Sequence, residues 1–235
     1  FSIHLNGTTG KGLDINSFFG QKFGNVGTTV FASYNRNWAY DPSDVGFTVI
    51  PKFDRFVFNP KLFLYLSENT DFSFGINSMI ENRLGGDMKY VEGKGDEEHS
   101  YFERNKTQRH SSQLTFEHRF DNQNRLNVKN SITYFSRKIE IPDFEFDGNQ
   151  LSSFSEVSYI HTKEKTEWVT GANVWTDKFT EKKLTDFPVR DYNMTTFGLF
   201  VQNNTKITDW MNLETGLRTD YITDYGFAVL PRISS

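Results

Sequence analysis

Met211-Asn212-Leu213-Glu214-Thr215-Gly216-Leu217-Arg218-Thr219-Asp220-Tyr221 decides the fold class, because its polarity changes at almost every step. Met211, Leu213, Leu217 and Tyr221 fall on one side of an extended chain, and Asn212, Glu214, Gly216, Arg218 and Asp220 on the other. In a helix these apolar residues would scatter around the axis, whereas in a strand they form one stripe. The same period of two recurs in Arg125–Phe135, where Leu126, Val128, Ile132 and Tyr134 oppose Asn127, Lys129, Ser131 and Thr133. Phe197, Leu199, Val201 and Ile207 oppose Gly198, Phe200, Gln202 and Asn204, and Phe72, Phe74, Ile76 and Ile80 make a further stripe. This repeated alternation predicts an all-β chain.

Composition agrees. The 235 residues include 24 Phe and 10 Tyr, while alanine occurs only at Ala32, Ala39, Ala172 and Ala228. Strands favour aromatic and β-branched residues, and helices favour Ala and Leu. Only 36% of the chain is hydrophobic and its mean hydropathy is −0.59, so many rings are combined with little total apolar content. That combination suits strands with one apolar face and one polar face lining water. The net charge of −4 offers no broad basic field for nucleic acid. The absence of cysteine excludes thiol chemistry, zinc–thiolate sites and disulfides. No run approaches the ~18 apolar residues of a membrane-spanning helix, and the N-terminal Phe1-Ser2-Ile3-His4-Leu5 has no signal-peptide character. Phe1 begins inside a strand-like run and Leu230–Ser235 stops within another, so the chain reads as an internal piece of a longer protein.

Between the strands, two kinds of connection alternate. Short polar turns stand at 23–27, 67–70, 120–124, 163–166 and 208–210. They are spaced roughly 40–55 residues apart, enough for two membrane-length strands of ~9–13 residues and one longer connection. The longer connections are expected at 39–53, 83–104, 139–149 and 180–190. The intervals share a pattern but no sequence, which favours a meander over a true repeat. Long loops at one end and tight turns at the other is the asymmetry of outer-membrane barrels. Aromatic residues near the strand ends (Trp38, Tyr40, Phe56, Phe58, Tyr134, Phe135, Trp175, Phe179, Trp210, Tyr221 and Tyr225) would form the interfacial girdles. Lipid cannot hydrogen-bond a free peptide group, so strands cross it only in a closed barrel, greasy outside and polar within. A soluble β-sandwich would turn the same stripe against a second sheet, but its strands usually run only ~5–6 residues.

The segment Gly216-Leu217-Arg218-Thr219-Asp220-Tyr221, followed by Asp224-Tyr225-Gly226-Phe227 and Leu230-Pro231-Arg232-Ile233-Ser234, resembles the strand–loop–strand stretch "G-L-R-x-D-x … L-P-R-x-S" of TonB-dependent outer-membrane receptors of the Bacteroidetes type. Asn59-Pro60-Lys61-Leu62 and Tyr34-Asn35-Arg36-Asn37 are similar to strand starts and ends of these barrels. The resemblance covers the whole chain in pattern and its C-terminal part in motif. It implies an antiparallel meander that is part of a roughly 22-stranded transmembrane β-barrel. This chain would supply about 10–12 of those strands as a single partial-barrel domain, 1–235, with the plug and the C-terminal barrel strands outside it. The implied function is uptake of a nutrient, an iron–siderophore, a cobalamin or similar, across the Gram-negative outer membrane. The implied partners are outer-membrane lipid, the small ligand and, through the missing N-terminal part, the TonB complex. No cofactor is expected.

No catalytic machinery is predicted. There is no Gly-x-Ser-x-Gly elbow, phosphate-binding loop or His-Glu-x-x-His. His110, Ser111 and Ser112 adjoin, but neighbours along a strand point to opposite faces. His110 and His118 share a strand face yet stand too far apart to chelate one ion. Asp96-Glu97-Glu98-His99 lacks the spaced order of a calcium loop and reads as a solvated charge run. Tyr101-Phe102-Glu103-Arg104-Asn105-Lys106 reads as a loop base, with grip on an anionic ligand or a lipopolysaccharide phosphate as the functional alternative. Ligand contact is expected from aromatic and polar loop residues: Trp38, Tyr40, Tyr90, Tyr101 and Arg104. The rival readings are a passive porin, which would have no plug, and a soluble β-sandwich adhesin.

Overall fold

The computed structural model describes residues 1–184 and 186–235, so Thr185, within the expected 180–190 connection, lies outside the described residues. Twelve strands follow one another: β1 (Ser2–Gly7), β2 (Gly12–Phe23), β3 (Val26–Asn37), β4 (Lys52–Ser67), β5 (Thr70–Gly86), β6 (Phe102–Arg119), β7 (Asn124–Ile141), β8 (Phe144–Lys163), β9 (Thr166–Glu181), β10 (Tyr192–Lys206), β11 (Asn212–Ile222) and β12 (Gly226–Ser234). A one-turn helix, α1 (Met88–Val91), sits in the β5–β6 connection. The strands form one antiparallel sheet in chain order, β1 to β12, as the meander reading expects.

Alternation assigns every strand residue to a face, and the registers carry the assignment across the sheet. Phe56, Ile80 and Gln108 occupy one row, and Leu62, Phe74, Leu114 and Asn130 another. Phe197, Tyr221 and Phe227 are likewise directly opposite one another. This apolar face is uncovered: Leu199 is 60% exposed, Leu217 51% and Ile76 42%. On the other face, polar residues are the buried ones, among them Ser73, Glu81, Asn105, Ser158, Asn173 and Asp220. Since one sheet makes up the strands, side-chain crowding on a concave face accounts for this burial, while the convex face splays its rings outward. A soluble protein buries apolar groups and exposes polar ones. This chain does the reverse, which is the arrangement of a barrel wall between lipid and an aqueous lumen. A sandwich would need a second sheet over the apolar face, and the strand order provides none.

The lumenal face is knitted by cross-strand polar contacts. Asp14 accepts from Asn6 at 3.1 Å and from Asn35 at 2.7 Å. Glu81 is held by Arg55 and, at 3.2 Å, by Arg83. The motif that carries the family resemblance is explained here: its Gly216, Arg218 and Asp220 face the lumen, while Leu217 and Tyr221 face outward. Arg218 donates from Nε to Asp220 at 2.9 Å and from Nη2 to Asn173 at 3.2 Å, crossing the gap over Gly198, which lies opposite both acceptors.

All five short turns stand where the sequence placed them, as two to five residues between β2–β3, β4–β5, β6–β7, β8–β9 and β10–β11. The long-loop end differs in one place. The expected connection at 139–149 belongs instead to β7 and β8, which pair through Ile139↔Phe146 and Ile141↔Phe144 around a tip of Pro142 and Asp143. Pro142 fixes its φ and Asp143 takes φ 62°, as a tight two-residue turn requires. Ile139, Ile141, Phe144 and Phe146 alternate with Lys138, Glu140, Glu145 and Asp147 through this stretch, and the charged outer face disguised the strand. With 20 residues, β8 spans ~66 Å. Tilted by ~45°, as barrel strands are, it rises ~47 Å, more than the ~30 Å hydrocarbon layer, so the β7–β8 hairpin projects beyond it. Register also corrects the girdle. Phe135 lies opposite Gln150, Trp175 opposite Phe154, and Phe179 opposite Tyr192, all on the lumenal face.

Candidate functional site

At the long-loop end the connections are ordered against one another. The β3–β4 loop docks on the β5–β6 loop through the Phe47↔Asp87 bridge, with Met88 N–H donating to Gly46 at 2.9 Å and Thr48 N–H to Gly86 at 2.9 Å. Tyr40 pairs with Ile50 within the first loop, exchanging N–H···O bonds of 3.0 and 3.1 Å. Tyr101 joins the two loops by packing 6.2 Å from Phe47. Tyr90, in α1, stacks on Phe102 at 4.7 Å and 9°. Trp38 begins the first loop and receives the Arg36 guanidinium over its ring at 4.7 Å. Arg104 stands within β6 rather than in a loop, on the outward face, 3.3 Å from Glu140. Tyr40, Tyr90 and Tyr101 thus share one loop layer, whereas Trp38 and Arg104 flank it.

Asp87 organises this layer. Its Oδ1 accepts from Lys89 N–H at 2.8 Å as the cap of α1, and its Oδ2 lies 2.8 Å from His99 Nδ1. His99 Nε2 in turn lies 2.8 Å from Lys89 Nζ. The His99 contact and the backbone N–H of Lys89 hold the Asp87 carboxyl below its ordinary range. The neighbouring Asp96 accepts from the backbone of Glu98 and His99, so the charge run at 96–99 closes a turn. No cluster of three metal-ligating side chains occurs among the described residues. Because the folded pKa of Asp87 is lowered, its contribution is complete above the ordinary carboxylate pKa and is lost as pH falls through the lower, folded value. Amide protection at Lys89–Val91 is therefore expected to fall below pH ~4. Hydrogen exchange measures it, and Asp87→Asn should show weaker protection at neutral pH with this acid-dependent loss removed.

Sequence reading missed a second cluster, on the lumenal wall. Phe146 and Phe179 stack at 6.4 Å and 12°, and Phe179 and Tyr192 at 5.7 Å and 20°. The stack needs Gly148: a Cβ there would stand 2.6 Å from Phe146 Cζ and 2.8 Å from Phe179 Cζ. Asp177 accepts from Gln150 at 2.8 Å and from the Tyr192 hydroxyl at 3.2 Å, anchoring the edge of the stack. Arg190 lies over Phe146 at 5.2 Å and forms a two-pronged pair with Glu181 at 2.6 and 2.8 Å. Beside the rings, Arg137 faces Gly148 across the β7–β8 ladder, and Arg109 faces Phe135 one row further down. Both arginines are exposed and neither has an acid partner among the described residues. On the lumenal face Glu81 is buried between Arg55 and Arg83, and Arg137 lies in its register row two strands away, across Thr107. Rings and unpaired guanidinium groups on a water-filled wall can hold a flat or multiply charged anion. The alternation of 125–135, continued by two residues, places Arg137 on this face, whereas reading 139–149 as a loop hides Phe146.

No protein-family profile and no curated relative matches the chain. Solved structures do. The copper transporter OprC superimposes with a TM-score of 0.72 at 11% identity, over 96% of this chain and 39% of its own. The ferric enterobactin receptor of Pseudomonas aeruginosa gives 0.67 at 13% identity, over 98% and 40%. The outer membrane transporter YddB of Escherichia coli gives 0.72 at 9% identity, over 94% and 35%. This chain thus spans well under half the length of these proteins. It has the fold of the outer-membrane receptor barrel, the fold that the resemblance to TonB-dependent receptors implies.

Proposed function

We propose that the chain is a section of the barrel wall of a TonB-dependent receptor in the Gram-negative outer membrane, and that the whole receptor imports a small nutrient. The plug and the remaining barrel strands belong to the receptor outside this section. An anionic metal chelate of the iron–siderophore kind suits the wall better than cobalamin does. The observation that carries this reading is the pair of unpaired arginines, Arg109 and Arg137, beside the Phe146–Phe179–Tyr192 stack. Fold likeness to the ferric enterobactin receptor and to the alcaligin receptor supports it. So does the likeness of Gly216–Tyr221 and Leu230–Ser234 to the receptor motif. The role is binding and passage, with no reaction at the site. Uptake of a labelled anionic iron chelate by cells carrying the full-length receptor tests it. Uptake should saturate and should stop when TonB is deleted. Uptake that is unsaturable and indifferent to TonB would make the barrel a passive porin.

A further inference from the structure

The apolar belt ends, near the short turns, on rows fixed by register. Phe116, Val128 and Val157 make the last wholly apolar row of β6–β8; His118–Leu126–Tyr159 follows, and Asn124–His161–Trp168 lies beyond it. These rows lie on the convex face, and Trp168 is half exposed. Hydrogen bonds fix the state of His161. The carboxylate of Asp121, in the β6–β7 turn, can only accept, and Asn124 Nδ2 donates to its two oxygens at 2.9 and 2.8 Å. The Asn124 amide is thereby oriented, and its Oδ1 accepts from the Tyr159 hydroxyl at 2.7 Å and from His161 Nδ1 at 2.8 Å. An amide oxygen cannot donate, so Nδ1 carries the proton and the neutral ring keeps Nε2 as a bare acceptor. Among the described residues nothing donates to that Nε2. Lys163 is the next residue of β8 on this face, ~6.6 Å along the strand. It is exposed and has no acid partner among the described residues. The other titratable neighbours of His161 on this face are Asp121 of the turn and Tyr159 of β8. Across β9 stand Trp168 and Thr166, while Glu167 turns to the lumen.

We infer that Tyr159, His161, Lys163 and Trp168 form a site for the phosphoethanolamine headgroup of an inner-leaflet phospholipid, on the exterior of the barrel. The primary ammonium donates to His161 Nε2 and lies against the Trp168 ring, the phosphate pairs with Lys163, and the acyl chains run over Leu126 and Val157. A choline headgroup carries the same charges but has no N–H to give, so the site selects ethanolamine. It rests on the membrane barrel and not on the identity of the imported ligand.

The test uses the full-length receptor in detergent, with phosphatidylethanolamine, phosphatidylcholine and phosphatidylglycerol of the same acyl chains as probes and native mass spectrometry as the readout. At neutral pH the wild type should bind phosphatidylethanolamine about fivefold more tightly than either of the others, the effect of one net hydrogen bond. His161→Phe keeps a ring but no acceptor and should bind ethanolamine and choline lipids equally. His161→Gln can still donate to Asn124 and accept from the ammonium, and should retain a preference, which separates the acceptor from misfolding. At about pH 5, where an imidazole takes a second proton, the wild type should lose its preference and His161→Gln should keep it. Lys163→Gln should weaken both zwitterionic lipids alike. Equal binding of ethanolamine and choline lipids by the wild type at neutral pH would overturn the inference, and so would a preference that survives in His161→Phe.

Discussion

Ile76→Arg should lower the unfolding free energy of the bilayer-inserted receptor by about 2–4 kcal/mol, while Asn77→Arg, its neighbour in the same strand, should cost less than ~1 kcal/mol. Ile76 lies on the convex face, 42% exposed, midway between the Asn82–Lys106–Lys138 row at the long-loop end and the His118 row at the short-turn end. A guanidinium there must enter hydrocarbon or drag water in with it. Asn77 lies on the lumenal face opposite Ser111, where water already solvates its neighbours. Urea titration of the receptor folded into lipid vesicles gives both values. The contrast carries the meaning, because a soluble fold with a dry core against Ile76 would also suffer from the first substitution but would not require a bilayer to show it.

Reversing charge at the lumenal arginines should have the largest functional effect. Arg109→Glu with Arg137→Glu is expected to weaken binding of an anionic iron chelate by roughly 30–1000-fold, since each exposed guanidinium contributes about 1 kcal/mol of attraction and its reversal adds a similar repulsion. A neutral chelate of similar size should bind within about twofold of wild type. Isothermal titration with both chelates on the full-length receptor reads the difference, and rising salt should narrow it. Stability should hardly move, because neither arginine has a partner to abandon among the described residues. Equal loss for both chelates would point to a disturbed stack of Phe146 and Phe179 in place of a charge effect.

Much of the wall was legible in the sequence for a simple reason. Where one face meets lipid and the other water, the period of two is printed in polarity, as in 125–135 and 211–221, and the structure keeps those assignments. The short turns were equally legible, because Gly24–Asn25, Glu68–Asn69 and Asp121–Asn124 interrupt the alternation with turn-forming residues. Beyond the membrane both faces meet water, so polarity no longer reports parity. That is why 139–149 read as a loop, although Ile139, Ile141, Phe144 and Phe146 still alternate there. The same loss hid the aromatic stack, and Phe135, Trp175 and Phe179, expected in a lipid girdle, face the lumen. Aromatic rings near strand ends serve both settings, and only register separates them. Tyr40, Tyr90 and Tyr101 were picked as loop residues. Their mutual arrangement rests on loop-to-loop bonds such as Thr48 N–H to Gly86, which have no periodic signature.

The most direct test of the central claim, that this sheet separates lipid from a water-filled lumen, is a spin-label scan of β10 in the membrane-inserted receptor. This section has no cysteine, and single cysteines are placed in turn at each position from 197 to 202, on a receptor whose other cysteines, if any, are replaced. Collision with oxygen, which concentrates in lipid, should peak at 197, 199 and 201. Collision with a water-soluble nickel chelate should peak at 200 and 202, out of phase with the oxygen signal, position 198 being closed by Asn173, Arg218 and Asp220. Low collision with both reagents at 197, 199 and 201 would mean that a second protein layer covers the apolar face, and the barrel account would fail.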